Sequence, residues 1–218
     1  MGWVFLEVIL YIRGKYSYDI MINKMTHLIK FCNQVSQLDE SAVDDLLKHT
    51  TIRNYKKGDY IFRQGKVCEY LYFVNTGIVK CFFLNEITEK EHILFFSAED
   101  SMFSFYDSAT AQKACNFNII ALESSSITLI KYESMEELSK RHHCIETFYR
   151  KLLISTNIGV VSSICEMMQD STVDRYRNFI EKNGQKLHRV SAGDMAKYFG
   201  VTPQSLSRIR AKKNHYLP

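Results

Sequence analysis

The period of the apolar positions changes twice along this chain. Up to about His49 they recur at helical spacing. Residues 23–36 permit a short helix, and "LDESAVDDLLKH" predicts a second. In that second helix Asp39 is the cap, acidic residues fill the first turn, and Val43, Leu46 and Leu47 form the inner face. From there to Tyr132 the runs "YIFRQ", "YLYFVN", "IVKCFFLN", "EHILFFS", "FNIIALES" and "ITLIKY" are short and rich in aromatic and β-branched residues, as strands are. Gly58, Gly65 and Gly77 fall between or beside the first runs, where turns require positive φ or close backbone approach. Many short strands at regular spacing predict a closed or double-sheet β structure, which protects its own edges.

After Tyr132 the helical period returns. "ESMEELSKRHH" predicts a short helix, with His142 and His143 facing solvent before a long one over residues 144–169. The long helix carries an apolar seam at Leu153, Val160, Ile164 and Met167, with Asn157 in the same seam. This is the a/d spacing of a helix packed on a partner helix. The helix either buries the seam against its own domain or pairs two copies of the chain. The second reading is preferred, because the β-region before it and the basic end after it need a connector. "QDST" then breaks the helix with cap-forming residues, and a hinge is expected near Asp170 and Ser171.

The last fifty residues hold a denser pattern. Ser191 is placed to cap a helix, with Asp194 three residues on. Counting from Ala192 as the first of twenty positions, small Ala196 falls where two helices touch, and Gly200 falls where the turn needs a left-handed residue. Met195, Phe199, Val201, Leu206 and Ile209 close a small core; Thr202 caps the second helix and Pro203 takes its first turn. This is a helix-turn-helix. Its second helix would enter a major groove with Gln204, Ser205, Ser207 and Arg208 toward the bases, while Thr202, Arg210, Lys212 and Lys213 hold phosphates.

Charge agrees with that placement. Residues 172–218 carry ten Lys and Arg against three Asp and Glu, whereas the rest of the chain is net negative. A basic end on an acidic body suits a polyanion. The six cysteines, at 32, 68, 81, 115, 144 and 165, form no C-x-x-C pair or zinc spacing; they suit reduced thiols of a cytoplasmic protein, mostly in the core. No metal site is expected. The apolar run from Trp3 to Ile12 is short for a bilayer and interrupted by Glu7, so no membrane partner is expected; residues 1–24 read as an extra segment or an over-extended start.

With "GDYIFRQGKVCEYLYFVNTGIVK" in the β-region and "DMAKYFGVTPQSLSRIRAKK" near the end, the chain resembles the Crp/Fnr family of bacterial transcription regulators. The likeness runs from about Leu46 to Lys213 and is nearest to short, wingless, Bacteroidetes-like members, since only "NHYLP" follows the second helix. The resemblance implies an α+β fold: an N-terminal jelly-roll, or double-stranded β-helix, of cyclic-nucleotide-binding type, a long dimerisation helix and a C-terminal helix-turn-helix. It implies residues 25–143 for the roll and its flanking helices, 144–170 for the dimer helix and 171–218 for the DNA-binding domain. The implied partners are double-stranded DNA and a second copy of the chain, with RNA polymerase as a further candidate.

The resemblance also bears on an effector. Members that bind cyclic AMP carry a Gly-Glu pair and an Arg-Ser pair in the roll. Here Ser104 and Phe105 lie near the first, and Lys113 and Ala114 near the second, so the ribose-binding carboxylate and the phosphate-binding arginine are both replaced. Val160 and Val161 lie near the two hydroxyl residues that reach adenine. A candidate pocket of Ser104, Phe105, Lys113, Asn116, Val160 and Val161 would disfavour cyclic AMP and leave another, more apolar effector, or none. Only Cys32 precedes the β-region, against an iron–sulfur cluster, and His92 is a lone strand histidine, against haem. No nucleophile–base set or phosphate loop marks an enzyme. The rival reading is a ligand-binding or interaction module whose terminal hairpin contacts protein.

Overall fold

The computed structural model describes residues 19–85 and 87–213. Most of the N-terminal segment 1–24, and the tail where no wing was expected, lie outside the described residues. Helices α1 (Asp19–Val35) and α2 (Glu40–Lys48) lead into eight strands: β1 (Thr50–Tyr55), β2 (Tyr60–Phe62), β3 (Tyr70–Thr76), β4 (Val79–Leu84), β5 (Glu91–Ser97), β6 (Ser101–Phe103), β7 (Asn118–Ala121) and β8 (Ser125–Lys131). A short α3 (Tyr106–Ala111) interrupts them; α4 (Tyr132–Arg141), α5 (His143–Gln169), α6 (Thr172–Leu187), α7 (Ala192–Phe199) and α8 (Pro203–Lys213) follow. One sheet has the order β1-β8-β3-β6 and the other β2-β7-β4-β5, with every pairing antiparallel.

Two-residue alternation sorts the strand side chains. In β3, Tyr72 and Val74 point into the roll with Val79, Cys81, Phe105, Ile119, Ile127 and Leu129. Leu71 and Phe73 point outward, where α1, α2, α4 and the first half of α5 cover them. Phe31 of α1 joins the layers: its ring lies 5.4 Å from Phe73 and 6.1 Å from Phe148 of α5. In α2 the fully buried residues are Ala42 and Leu46, while Val43 and Leu47 are only partly covered.

His142, expected to face solvent, does not. Its side chain is 13% exposed, and Nε2 lies 3.0 Å from Asp45 Oδ2 of α2. Arg141 Nη1 reaches the same oxygen at 3.2 Å, and Lys48 Nζ reaches the other at 3.0 Å. His143 is open to solvent as expected.

Gly77 turns β3 into β4 at φ +93°. A Cβ there would overlap the Ser125 hydroxyl and lie 2.8 Å from the Ser124 carbonyl oxygen. Gly200 also has positive φ, but open space surrounds its missing Cβ. Gly77→Ala is therefore expected to cost roughly 2–5 kcal/mol, from left-handed strain plus overlap with backbone. Gly200→Ala should cost about 1–2 kcal/mol from the strain alone. Urea unfolding of the two variants checks the ranking; equal losses would contradict it.

Asp45 predicts an acid limb. The hydrogen bond to His142, then that to Lys48, depresses its carboxyl to about 2. Because the folded value lies below the unfolded one, near 3.9, its stabilisation is complete above about pH 4 and fades as pH falls toward 2. The melting-temperature gap between the protein and its Asp45→Asn variant should shrink as pH falls from about 4 toward 2.

Candidate nucleic-acid interface

The α7–α8 hairpin is assembled by local capping chemistry. The Asp194 N–H donates to Ser191 Oγ at 3.0 Å, and the Ser191 hydroxyl donates to the Asp194 carboxylate at 2.8 Å. Gly200 ends α7 at φ +66°, and the Val201 N–H returns to the Ala196 carbonyl at 2.9 Å. Thr202 caps α8: its Oγ1 accepts the Ser205 N–H at 3.1 Å, and its hydroxyl donates to Ser205 Oγ at 3.0 Å. Met195, Ala196, Phe199 and Leu206 are buried together with Tyr176, Leu187 and Val190, so α6 closes the third side of this small core.

The residues assigned to DNA separate into groups. Gln204, Ser207 and Arg208 are exposed on α8. Thr202 and Ser205 are engaged in the cap, and Ser205 is half-buried. Arg210 lies against Tyr176: its Nε donates to the phenol oxygen at 3.1 Å and its guanidinium sits 5.9 Å from the ring centre, tying α8 to α6. Lys212 and Lys213 fall at the end of α8, and their side chains lie outside the described residues.

The hairpin does not stand apart from the roll. Phe96 of β5 lies 5.4 Å from Tyr198 of α7, and Ile78, Ala98 and Leu122 of the roll join the same apolar cluster. Lys80 of β4, only 10% exposed, places Nζ 2.8 Å from Glu91 of β5 and 2.8 Å from Asp194 of α7. Burial works against its charge, but the bonds to Asp194 and Glu91 outweigh that and hold its pKa above the ordinary lysine value. Arg189, between α6 and α7, bridges Glu99 and Glu123 at 2.7 Å each. Sequence reading passed over both cations. Lys80 did leave a signal: a single charge inside the apolar run "IVKCFF".

The six residues of the candidate effector pocket are not brought together. Phe105 is buried in the roll, 5.9 Å from Phe62 and stacked on Phe117 at 5.2 Å. Ser104 donates to the Tyr70 carbonyl at 3.0 Å. Lys113 and Asn116 are exposed, and Lys113 lies 3.8 Å from Asp107. Val160 and Val161 are exposed on the second half of α5, clear of the roll. Sequence spacing located these positions along the chain, but not the turn of α5 at which the helix leaves the roll.

That departure is abrupt. Ile145, Phe148, Tyr149 and Leu152 are buried, and from Leu153 to Cys165 every residue is exposed. The seam residues Leu153, Asn157, Val160, Ile164 and Met167 all lie on this free half, with Ile154, Ile158, Val161 and Met168 beside them. Cys32, Cys68, Cys81 and Cys115 are buried free thiols; burial pushes Cys32 up to about 12 and raises Cys81 as well, so both stay protonated. His92 is exposed and stacks on Phe83 at 5.2 Å. Among the described residues no group of three His, Cys, Asp or Glu side chains has metal-holding geometry.

Comparison with known proteins follows the same division. Residues 52–142 match the cyclic nucleotide-binding domain model. Over 192 residues the chain is 22% identical to the fumarate and nitrate reduction regulatory protein of Vibrio cholerae, covering 83% of this chain and 74% of that one. It is 26% identical over 181 residues to the transcriptional activator protein Anr of Pseudomonas protegens, covering 82% and 68%. The solved structure of FixK2 from Bradyrhizobium japonicum superposes with a TM-score of 0.64 at 20% identity, over 76% of this chain and 85% of that one. The domain match and the longer likenesses agree: the chain carries a cyclic nucleotide-binding domain and is similar, in that domain and in the helices after it, to transcription regulators of the Crp/Fnr type.

Proposed function

We propose that the protein regulates transcription in the cytoplasm as a homodimer that reads DNA with α8. One observation carries this reading: Gln204, Ser207 and Arg208 stand exposed together on the second helix of a capped helix-turn-helix, within the basic end of the chain. In a major groove Gln204 suits adenine and Arg208 suits guanine, each through paired hydrogen bonds. Lys212 and Lys213 supply sequence-independent attraction to phosphates. Arg210 acts indirectly, by fixing α8 against Tyr176.

The free half of α5 supplies the twofold axis. Its seam has the spacing of a two-helix interface, and Asn157 within it can set register at some cost in stability. Two α8 helices held by such a pair would meet half-sites about 34 Å apart. Residues 25–143 then sense a signal or serve as scaffold. Cyclic AMP is not that signal on this reading. The family's carboxylate and arginine positions hold other residues, and Phe62, Phe105 and Phe117 fill the roll interior.

Arg208→Ala is expected to cost about 1–3 kcal/mol on a duplex selected by the protein, and far less on random duplex. Fluorescence anisotropy on both duplexes checks this, and the same titrations should be unchanged by cyclic AMP. An unaltered preference for the selected duplex would remove Arg208 from base contact. Ile164→Asp, on the exposed seam, should leave the protomer's melting unchanged. It should yield monomers in sedimentation and weaken binding to a two-half-site duplex by about a hundredfold or more, through lost avidity. A stable dimer would move the twofold interface elsewhere.

A further inference from the structure

Three cations of the DNA-binding domain are already occupied by the roll. Arg189 Nη2 donates to both carboxylate oxygens of Glu99, at 2.9 and 2.7 Å, and its Nη1 donates to Glu123 at 2.7 Å. Lys186 Nζ donates to the Glu99 carbonyl at 2.7 Å and lies 3.6 Å from the Asp100 carboxylate. Lys197 Nζ lies 3.4 Å from Glu91. The carboxylates come from the start of β5, from the turn after it, and from the turn between β7 and β8, and each meets a cation of α6, the link or α7; together they make up the roll's acidic rim. Glu99 and Asp100 stay ionised at neutral pH. Burial raises both, but the bond from Arg189 at Glu99, and that from His27 at Asp100, help to bring each below the ordinary carboxylate value.

The place of these cations gives the rim its meaning. Lys186 lies in the last turn of α6, Arg189 lies in the link to α7, and Lys197 lies on α7, the first helix of the motif. In a helix-turn-helix the first helix crosses the DNA backbone while the second lies in the groove. The link and α7 therefore run beside phosphates when α8 is seated. A guanidinium engaged by two carboxylates cannot also engage a phosphate in the same geometry.

We propose that Glu91, Glu99, Asp100 and Glu123 compete with DNA phosphates for Lys186, Arg189 and Lys197, so that the roll restrains DNA binding from within the same protomer. The proposal rests on the DNA-binding reading and names its regulation. Lys80 completes the device with the opposite polarity. Asp194 would face phosphates as a like charge, and Lys80 holds it on the roll. A signal that parts the rim from the link and α7 frees these cations toward DNA, Arg189 first. It needs only to favour the parted arrangement by its differential affinity.

The test uses the full chain and a labelled random-sequence duplex, titrated across a salt series. Glu99→Gln combined with Glu123→Gln removes the charge facing Arg189, while the glutamine oxygen at 99 can still accept the Gly77 N–H, which Glu99 binds at 2.9 Å. The double variant should bind about fivefold more tightly at low salt, the scale of one good exposed ion pair. Its plot of log K against log salt should steepen by about one for the freed arginine. Adding Arg189→Gln should cancel both changes. Glu123→Gln alone, which leaves the Gly77 contact untouched, should move the slope in the same direction, and it guards against a folding defect in the double variant. Equal slopes and affinities, or weaker binding by folded variants, would overturn the proposal; the second result would mean the rim orients the domain instead. Absence of duplex binding by every protein would sink the DNA-binding reading with it, whereas binding with identical slopes sinks the competition alone.

Discussion

The molecule depends on the fact that β3 is buried on both faces. Tyr72 and Val74 must be sealed inside the roll, and Leu71 and Phe73 must be sealed outside it. The sheet cannot cover its own outer face, so helices must do so, and α5 does so with its first half only. Burying Ile145, Phe148, Tyr149 and Leu152 anchors that half at roughly 1.5–3 kcal/mol for each large apolar side chain. The second half is thereby aimed outward as a rigid lever. At about 1.5 Å per residue, it carries α6 about 25 Å beyond Leu152. The free seam and the reach of the DNA-binding domain are thus two consequences of one packing requirement.

What the sequence made legible was local. The hairpin α7–α8 could be read position by position because its caps, its left-handed Gly200 and its small Ala196 act within a few residues of each other. The strands could be read because aromatic and β-branched runs have few other uses. The surroundings of the candidate pocket positions were not legible, for a different reason. Phe105 and Val160 are both apolar, but only the three-dimensional packing decides that one is sealed in the roll and the other is left on the free half of α5. Sequence distance hid His142 in the same way: its partner Asp45 lies 97 residues earlier. The basic end was legible as a sum of charge, but its division was not. Gln204, Ser207 and Arg208 face outward, while Arg189 is held by carboxylates 90 and 66 residues away and Arg210 by a tyrosine on α6.

That division matters because the contact between roll and hairpin has two components with different responses. The apolar part, where Phe96 meets Tyr198 over Ile78 and Ala98, is non-directional and insensitive to salt. It keeps the domains adjacent without distinguishing one orientation sharply from the next. The polar part is directional. Lys80 between Glu91 and Asp194, and Arg189 between Glu99 and Glu123, each satisfy both partners in one relative placement.

A regulator needs two arrangements separated by little free energy, since couplings between sites are typically about 1–3 kcal/mol. Burying more apolar surface between the domains would deepen one arrangement beyond the reach of a ligand. Exchanging carboxylates for phosphates avoids that, because each cation finds an acceptor in either state and the difference between the states stays small. Lys80 is the exception that fixes the direction of the exchange. Its side chain is mostly covered, so separating it from Asp194 would expose an ion pair that burial has made interdependent. Arg189 and Lys197 stand nearer to solvent and can change partners at lower cost. The hairpin should therefore part from the roll first at the Arg189 end and last at Lys80, a rotation about the N-terminal turn of α7 and not a translation away from the sheet.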